Sequence, residues 1–209
     1  MNTKKLMIFI SSFVVLMACN RQSEITMQNE DVDFNNKGFK FLQAYYDECD
    51  SNYLDSARCF FEKALKCNDG NSVAFYNLML ILGAQEEYKE MVELYQKRIN
   101  QLSENAYLAK AETYSDMAIL YGKIGDTLSY CEMTQKASNE FEKCFNQKPV
   151  SVDLVISFLM FSAFKDGKES AILELKKFED VFPDEDYYSA FKSQLMEYNP
   201  DDYFSLRCN

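Results

Sequence analysis

Apolar residues through the middle of this chain recur at helical intervals. Phe41, Ala44 and Tyr45 stand at i, i+3 and i+4, and so do Phe75, Leu78 and Met79. Ala57 and Phe61 are an i, i+4 pair, as are Met91 and Tyr95. Such spacing marks one face of an α-helix, whereas a half-buried strand would alternate strictly. Adding 34 to each number in the first sets gives the matching number in the second, so the pattern is an internal repeat. Cys49-Asp50-Ser51-Asn52 and Gly83-Ala84 break the first helix of each unit. Asn68-Asp69-Gly70-Asn71, a helix-stop and turn signal, closes the second helix of unit one. Each unit reads as helix, short turn, helix.

A third unit opens with Ala111-Glu112-Thr113-Tyr114, continues through Met117, Ala118 and Tyr121, turns at Gly125-Asp126, and carries Tyr130 and Ala137 on its second helix. Phe75 pairs with Tyr114 at an offset of 39, so additional residues are placed between Ile99 and Lys110. A fourth unit follows Pro149, with Val155, Phe158, Leu159 and Ala171 in the pattern and Gly167 at its turn. Pro183 follows it, and Asp184 to Tyr198 is predicted as a last, capping helix that Pro200 ends. From Gly38 to Pro183 these residues resemble the tetratricopeptide repeat. The aromatic, small, Tyr and Gly-Asp turn positions of that family are most complete in the third unit. The resemblance implies an all-α fold, an α-solenoid of stacked antiparallel helix hairpins, with about four repeats and a C-terminal capping helix spanning 37–209. One hairpin cannot bury its apolar face alone, and stacked neighbours can.

The first residues read differently. Lys4 and Lys5 precede an apolar run from Leu6 to Met17 that only Ser11 and Ser12 interrupt. That run is too short for a confident membrane span, which needs about twenty residues. It closes on Leu16-Met17-Ala18-Cys19, which resembles the lipobox of bacterial lipoproteins. The resemblance implies a cleaved signal peptide over 1–18, with Cys19 lipidated as the first mature residue. Several acyl chains would hold the protein to a membrane, since each buried CH₂ contributes about 0.8 kcal/mol. Residues 19–36, with Glu24, Glu30, Asp31 and Asp33, read as a flexible tether. Asn20 in the second mature position does not favour inner-membrane retention by that resemblance. The expected location is a lipid-anchored site in the cell envelope, at the outer membrane, on either face.

Charge and residue usage then remove several functions. The 209 residues hold 33 acidic and 22 basic side chains, a net charge of −11. Loss of Lys4 and Lys5 with the leader makes it −11 − 2 = −13. A nucleic-acid binder normally shows a basic footprint, so nucleic acid is excluded as a partner. An anionic lipid surface would repel such a domain, leaving the lipid to hold it. The chain has no His, which removes Ser-His-Asp and Cys-His catalysis and His-ligated metals. Of seven Cys, the six beyond Cys19 (Cys49, Cys59, Cys67, Cys131, Cys144 and Cys208) form no CxxC pair. Cys59 and Cys67 are about 12 Å apart along one predicted helix, too far to bridge. Cys49 and Cys59 flank one turn and could meet, and free thiols are the alternative. Glu86-Glu87, Asp184-Glu185-Asp186 and Asp201-Asp202 are acidic clusters. Catalytic carboxylates need a set separation across a cleft, which such runs do not supply. At a helix start the macrodipole explains them. No EF-hand or glycine-rich phosphate loop is present, so no metal or cofactor is expected.

The resemblance also implies a concave surface lined by the first helix of each unit. Its register falls on Phe39, Leu42 and Tyr46, then Tyr76, Asn77 and Leu80, then Asp116 and Ile119, then Ile156 and Met160. A largely apolar, aromatic surface suits an amphipathic helix or an extended peptide. Only Asn77 fits the family's carboxylate clamp, so free peptide C-termini are not the expected ligand. The preferred expectation is a non-enzymatic scaffold binding another envelope protein or peptide segment, in one version an envelope assembly factor. An accessory lipoprotein of a glycan or peptide capture system is the alternative. A hydrolase using acidic side chains is the least favoured.

Overall fold

The computed structural model describes residues 29–199. The expected signal peptide, Cys19, the first part of the tether and residues 200–209 lie outside the described residues. Among the described residues every regular element is helical: nine α-helices and one 3₁₀ segment, in two compact units divided after Glu86. No described helix is long and apolar enough to cross a membrane.

The first unit holds α1 (Asn29–Glu48), α2 (Asn52–Cys67) and α3 (Ser72–Ala84). α1 and α2 pack as an antiparallel hairpin, and α3 packs on α2. Cys49 turns the chain in the left-handed region at φ 55°, and Asp50 Oδ1 accepts the Asn52 amide at 2.9 Å to start α2. The hairpin seam is aromatic. Phe60 stacks on Phe34 at 6.4 Å and on Phe41 at 5.5 Å between centroids. Beside them the buried ring of Phe61 presses on Gly38, which has no side chain to hold it off. Asn71 caps α3, its Oδ1 accepting the Ala74 amide at 3.0 Å.

α1 starts earlier than the sequence suggests. Residues 29–36, read as tether, form its first two turns. The cause is long-range. The fully buried Asp31 carboxylate accepts from the side-chain amides of Asn68 and Asn71, at 3.0 and 3.1 Å. Phe34 meets Phe60 one turn later. These contacts offset the conformational entropy of ordering a polar segment.

The second unit comprises α4 (Tyr88–Gln101), α5 (Tyr107–Ile124), α6 (Thr127–Phe145), α7 (Val152–Asp166), α8 (Lys168–Leu175), the 3₁₀ segment Lys176–Val181 and α9 (Glu185–Met196). α4 packs on α5, α5 pairs with α6, α7 with α8, and α9 lies on α8. The additional residues of the third repeat form the α4–α5 loop and lengthen α5. Gly125, at φ 82°, ends α5 in the left-handed conformation that glycine adopts without steric cost. Asp126 then caps α6, accepting the Ser129 amide at 3.0 Å and the Ser129 hydroxyl at 2.7 Å. Ser151 and Asp184 cap α7 and α9 in the same way. The second helix of the fourth repeat is short and tightens into 3₁₀ before Pro183.

Two apolar clusters lie among the described residues of this unit, beside further buried residues of α4 and α5 such as Met91, Tyr95 and Leu120. One gathers Ala111, Ala137, Phe141, Leu154 and Phe161; the other gathers Val155, Leu159, Ala171, Leu175, Phe191 and Leu195. Phe158 packs against both. It belongs to a run of rings with centroids 5.0–5.7 Å apart: Phe161, Phe141, Phe158, Phe145 and Phe178.

Candidate functional site

The expected groove residues fall into two sets, one in each unit. In the first unit, Phe39, Leu42 and Tyr46 follow one stripe of α1, about a quarter-turn from the side that meets α2. Phe39 is 51% and Tyr46 42% exposed, while Leu42 between them is buried. Among the described residues of this unit, Phe39 and Tyr46 are the large hydrophobic side chains that stand exposed. Tyr45 and Tyr46 bring their rings to 5.7 Å. On α3, Tyr76 and Leu80 are half-buried, and the Tyr76 ring meets the edge of Phe75 at 5.6 Å. Asn77 is buried at 3% exposure, and its Nδ2 has no hydrogen-bond acceptor. A buried donor in that state costs about 1–3 kcal/mol unless something accepts from it.

In the second unit the corresponding residues are largely engaged internally. Ile119 is core. Asp116 accepts from the buried Tyr95 hydroxyl at 2.7 Å, which ties α4 to α5. Ile156 and Met160 pack against the cluster that holds Phe191 and Leu195 of α9, so the capping helix covers part of them. Tyr198, just beyond α9, packs against the same cluster. Burial, and after it the charge of Asp116, pushes its phenol well above the usual range. Burial and then Asp153 push the Tyr187 phenol up in the same sense. Of the expected groove residues, Phe39 and Tyr46 on α1 are thus the most exposed; outside that set, Leu128, Leu173 and Met196 of the second unit are more open still. Leu42, Asn77 and Ile119 support the faces from beneath.

Other candidate chemistry resolves into structure. Asp184 caps α9, and Glu185 and Asp186 occupy its first turn, where the macrodipole favours carboxylates. Among the described residues no disulfide forms: Cys49, Cys59, Cys67 and Cys131 are exposed, and Cys144 is buried, which raises its pKa through desolvation. Cys208 and Asp201-Asp202 lie outside the described residues. Among the described residues, no three Cys, Asp or Glu side chains stand close enough to share a metal ion. The sequence reading missed the polar anchor of Asp31 on Asn68 and Asn71, and the packing of Tyr198 on the cluster that holds Val155 and Leu159. Each joins residues far apart in the chain, and no local pattern marks them.

No family model matches the sequence, and no curated protein sequence matches it. One solved structure is similar: the crystal structure of a tetratricopeptide repeat protein from Parabacteroides merdae ATCC 43184. Identity is 17% and the TM-score 0.45, over 80% of this chain. This chain spans 58% of the length of that one.

Proposed function

We propose that the protein is a non-enzymatic scaffold that binds another envelope protein or a peptide segment, held at the membrane by lipid on Cys19. The exposed aromatic stripe of α1, Phe39 and Tyr46 on a helix otherwise packed in a hairpin, carries this reading. Rigid aromatic side chains on a helix scaffold are effective anchors, because they bury much apolar area at little entropic cost. The sequence resemblance to tetratricopeptide repeats and to the lipobox supports the partner class and the anchor. Lipidation would concentrate the scaffold at a surface where its partner is also confined, raising the effective concentration of each for the other. A role in assembling outer-membrane proteins or secretins is the specific form of this proposal.

The test is a crosslinking pull-down from native envelopes. Wild-type protein should capture a discrete partner, and Phe39→Ala with Tyr46→Ala should lose it at unchanged helix content. Cys19→Ser should move the protein into the soluble fraction. Capture that survives the double substitution, or membrane association that survives Cys19→Ser, would refute the corresponding half of the proposal.

A further inference from the structure

Asp31 is fully buried, and its two oxygens differ in their surroundings. Oδ2 accepts from the side-chain amides of Asn68 and Asn71, at 3.0 and 3.1 Å. Oδ1 is buried with no hydrogen-bond partner. One helical turn on, Asn35 Oδ1 is buried without a partner as well. Residues i and i+4 are neighbours on one helix face, so α1 carries two unsatisfied oxygens on the same stretch of its surface.

Both atoms are acceptors, and neither can satisfy the other. Among the described residues no Lys or Arg pairs with Asp31, and the amides that hold its Oδ2 are neutral. A buried carboxylate is costly unless a positive charge or further donors meet it. The two oxygens are closed to solvent, which suits a bare ion better than the side chain of a partner. A carboxylate and an amide carbonyl are hard ligands with no sulfur or imidazole among them, a set that favours Ca²⁺ over Zn²⁺ or Cu²⁺. Ca²⁺ tolerates irregular geometry, whereas Mg²⁺ demands a near-ideal octahedron and sheds water reluctantly. Two features hold the affinity down. The pair brings a single negative charge, and Asp31 lies in the first turn of α1, where the helix dipole is positive. The dissociation constant should therefore fall at the weak end of protein Ca²⁺ sites, about 0.1–1 mM.

We propose that Asp31 Oδ1 and Asn35 Oδ1 are protein ligands of a weak Ca²⁺ site on α1. The ion supplies the positive charge that the buried carboxylate lacks, and main-chain carbonyls or water complete its shell. Because Asp31 also holds Asn68 and Asn71, loading the site clamps the start of α1 to the turn between α2 and α3. A site of this kind needs one carboxylate, not the three-residue cluster that most metal centres use.

The test uses the full chain, stripped with EGTA and held at constant ionic strength, with CaCl₂ or MgCl₂ titrated through about 1 mM. Amide exchange is read over residues 30–36 and 68–74. At ten times the dissociation constant, Ca²⁺ should slow exchange there about tenfold, and Mg²⁺ should not. Asn35→Ala leaves the Asp31 anchor in place and should abolish most of the response. Asn35→Asp adds a second carboxylate: it should loosen the same residues without Ca²⁺ and bind Ca²⁺ about tenfold more tightly than wild type. Wild-type exchange that ignores Ca²⁺, or that slows equally with Mg²⁺, would overturn the proposal. So would a Ca²⁺ response that Asn35→Ala leaves unchanged or Asn35→Asp fails to strengthen. The two oxygens would then be served by a buried water, or by the Asn35 amide turned to donate to Asp31.

Discussion

Replacing Gly38 with Ala pits two opposed effects against each other at one position. In an exposed helix interior, Gly→Ala stabilises by about 1 kcal/mol, because glycine loses more backbone freedom on folding. In α1 the new Cβ would stand 2.8 Å from Cε1 of Phe61 and 2.9 Å from its Cδ1 and Cζ. Carbon atoms in good contact sit at about 3.5–4.0 Å, so the ring would have to retreat by roughly 0.5–1 Å. Phe61 is 0% exposed, which leaves no open side to retreat into. Overpacking of a well-filled core costs about 1–3 kcal/mol. Three ring atoms engaged at once place this substitution toward the upper end. Subtracting the propensity gain leaves a net loss of about 1–2 kcal/mol. Amide exchange in α1 and α2, together with urea unfolding followed by circular dichroism, would measure it. The companion variant Phe61→Leu removes the ring. In that background Gly38→Ala should cost less than in the wild type, with a coupling energy of about 0.5–3 kcal/mol. A Gly38→Ala protein as stable as wild type, or strict additivity with Phe61→Leu, would refute this account of the seam.

Two further predictions concern polar anchors. Asp31→Ala should strip the Asn68 and Asn71 amides of their shared acceptor and destabilise the first unit by about 1–3 kcal/mol, with the earliest and largest rise in exchange over residues 30–36. Asp126 is held below the usual carboxylate range by the Ser129 amide and then the Ser129 hydroxyl. A depressed folded pKa supplies stability above the unfolded value of about 3.9 that is lost as pH falls through the folded value. The first turn of α6 should therefore loosen below about pH 4, as read by exchange corrected for intrinsic rates. Asp126→Asn keeps an acceptor there and should abolish that pH dependence.

Local signals in the sequence were readable where the physics is local. Asn68-Asp69-Gly70-Asn71, Gly125-Asp126 and Asp184 fall at the helix boundaries observed, because turn and cap chemistry acts within three or four residues. The i, i+3, i+4 rows that predict helices are the rows that pack: Ala57 and Phe61 are fully buried, as are Leu78, Met79, Met91 and Tyr95. What failed to show was non-local. Glu30, Asp31 and Asp33 look solvated until Asn68 and Asn71 come round to meet Asp31. Likewise, register alone puts Phe39, Leu42 and Tyr46 on one stripe, yet only packing decides that the middle one is buried and the outer two are not.

The row of phenylalanines from Phe161 to Phe178 crosses α7, α6 and the 3₁₀ segment, with Phe158 packed against two of its unit's apolar clusters. Interlocked rings of this kind act like a keystone course. No helix they join can slip out without forfeiting contacts that its neighbours also depend on. α6, α7 and the 3₁₀ segment should accordingly give way together, leaving no half-melted remnant of the three for a protease to trim.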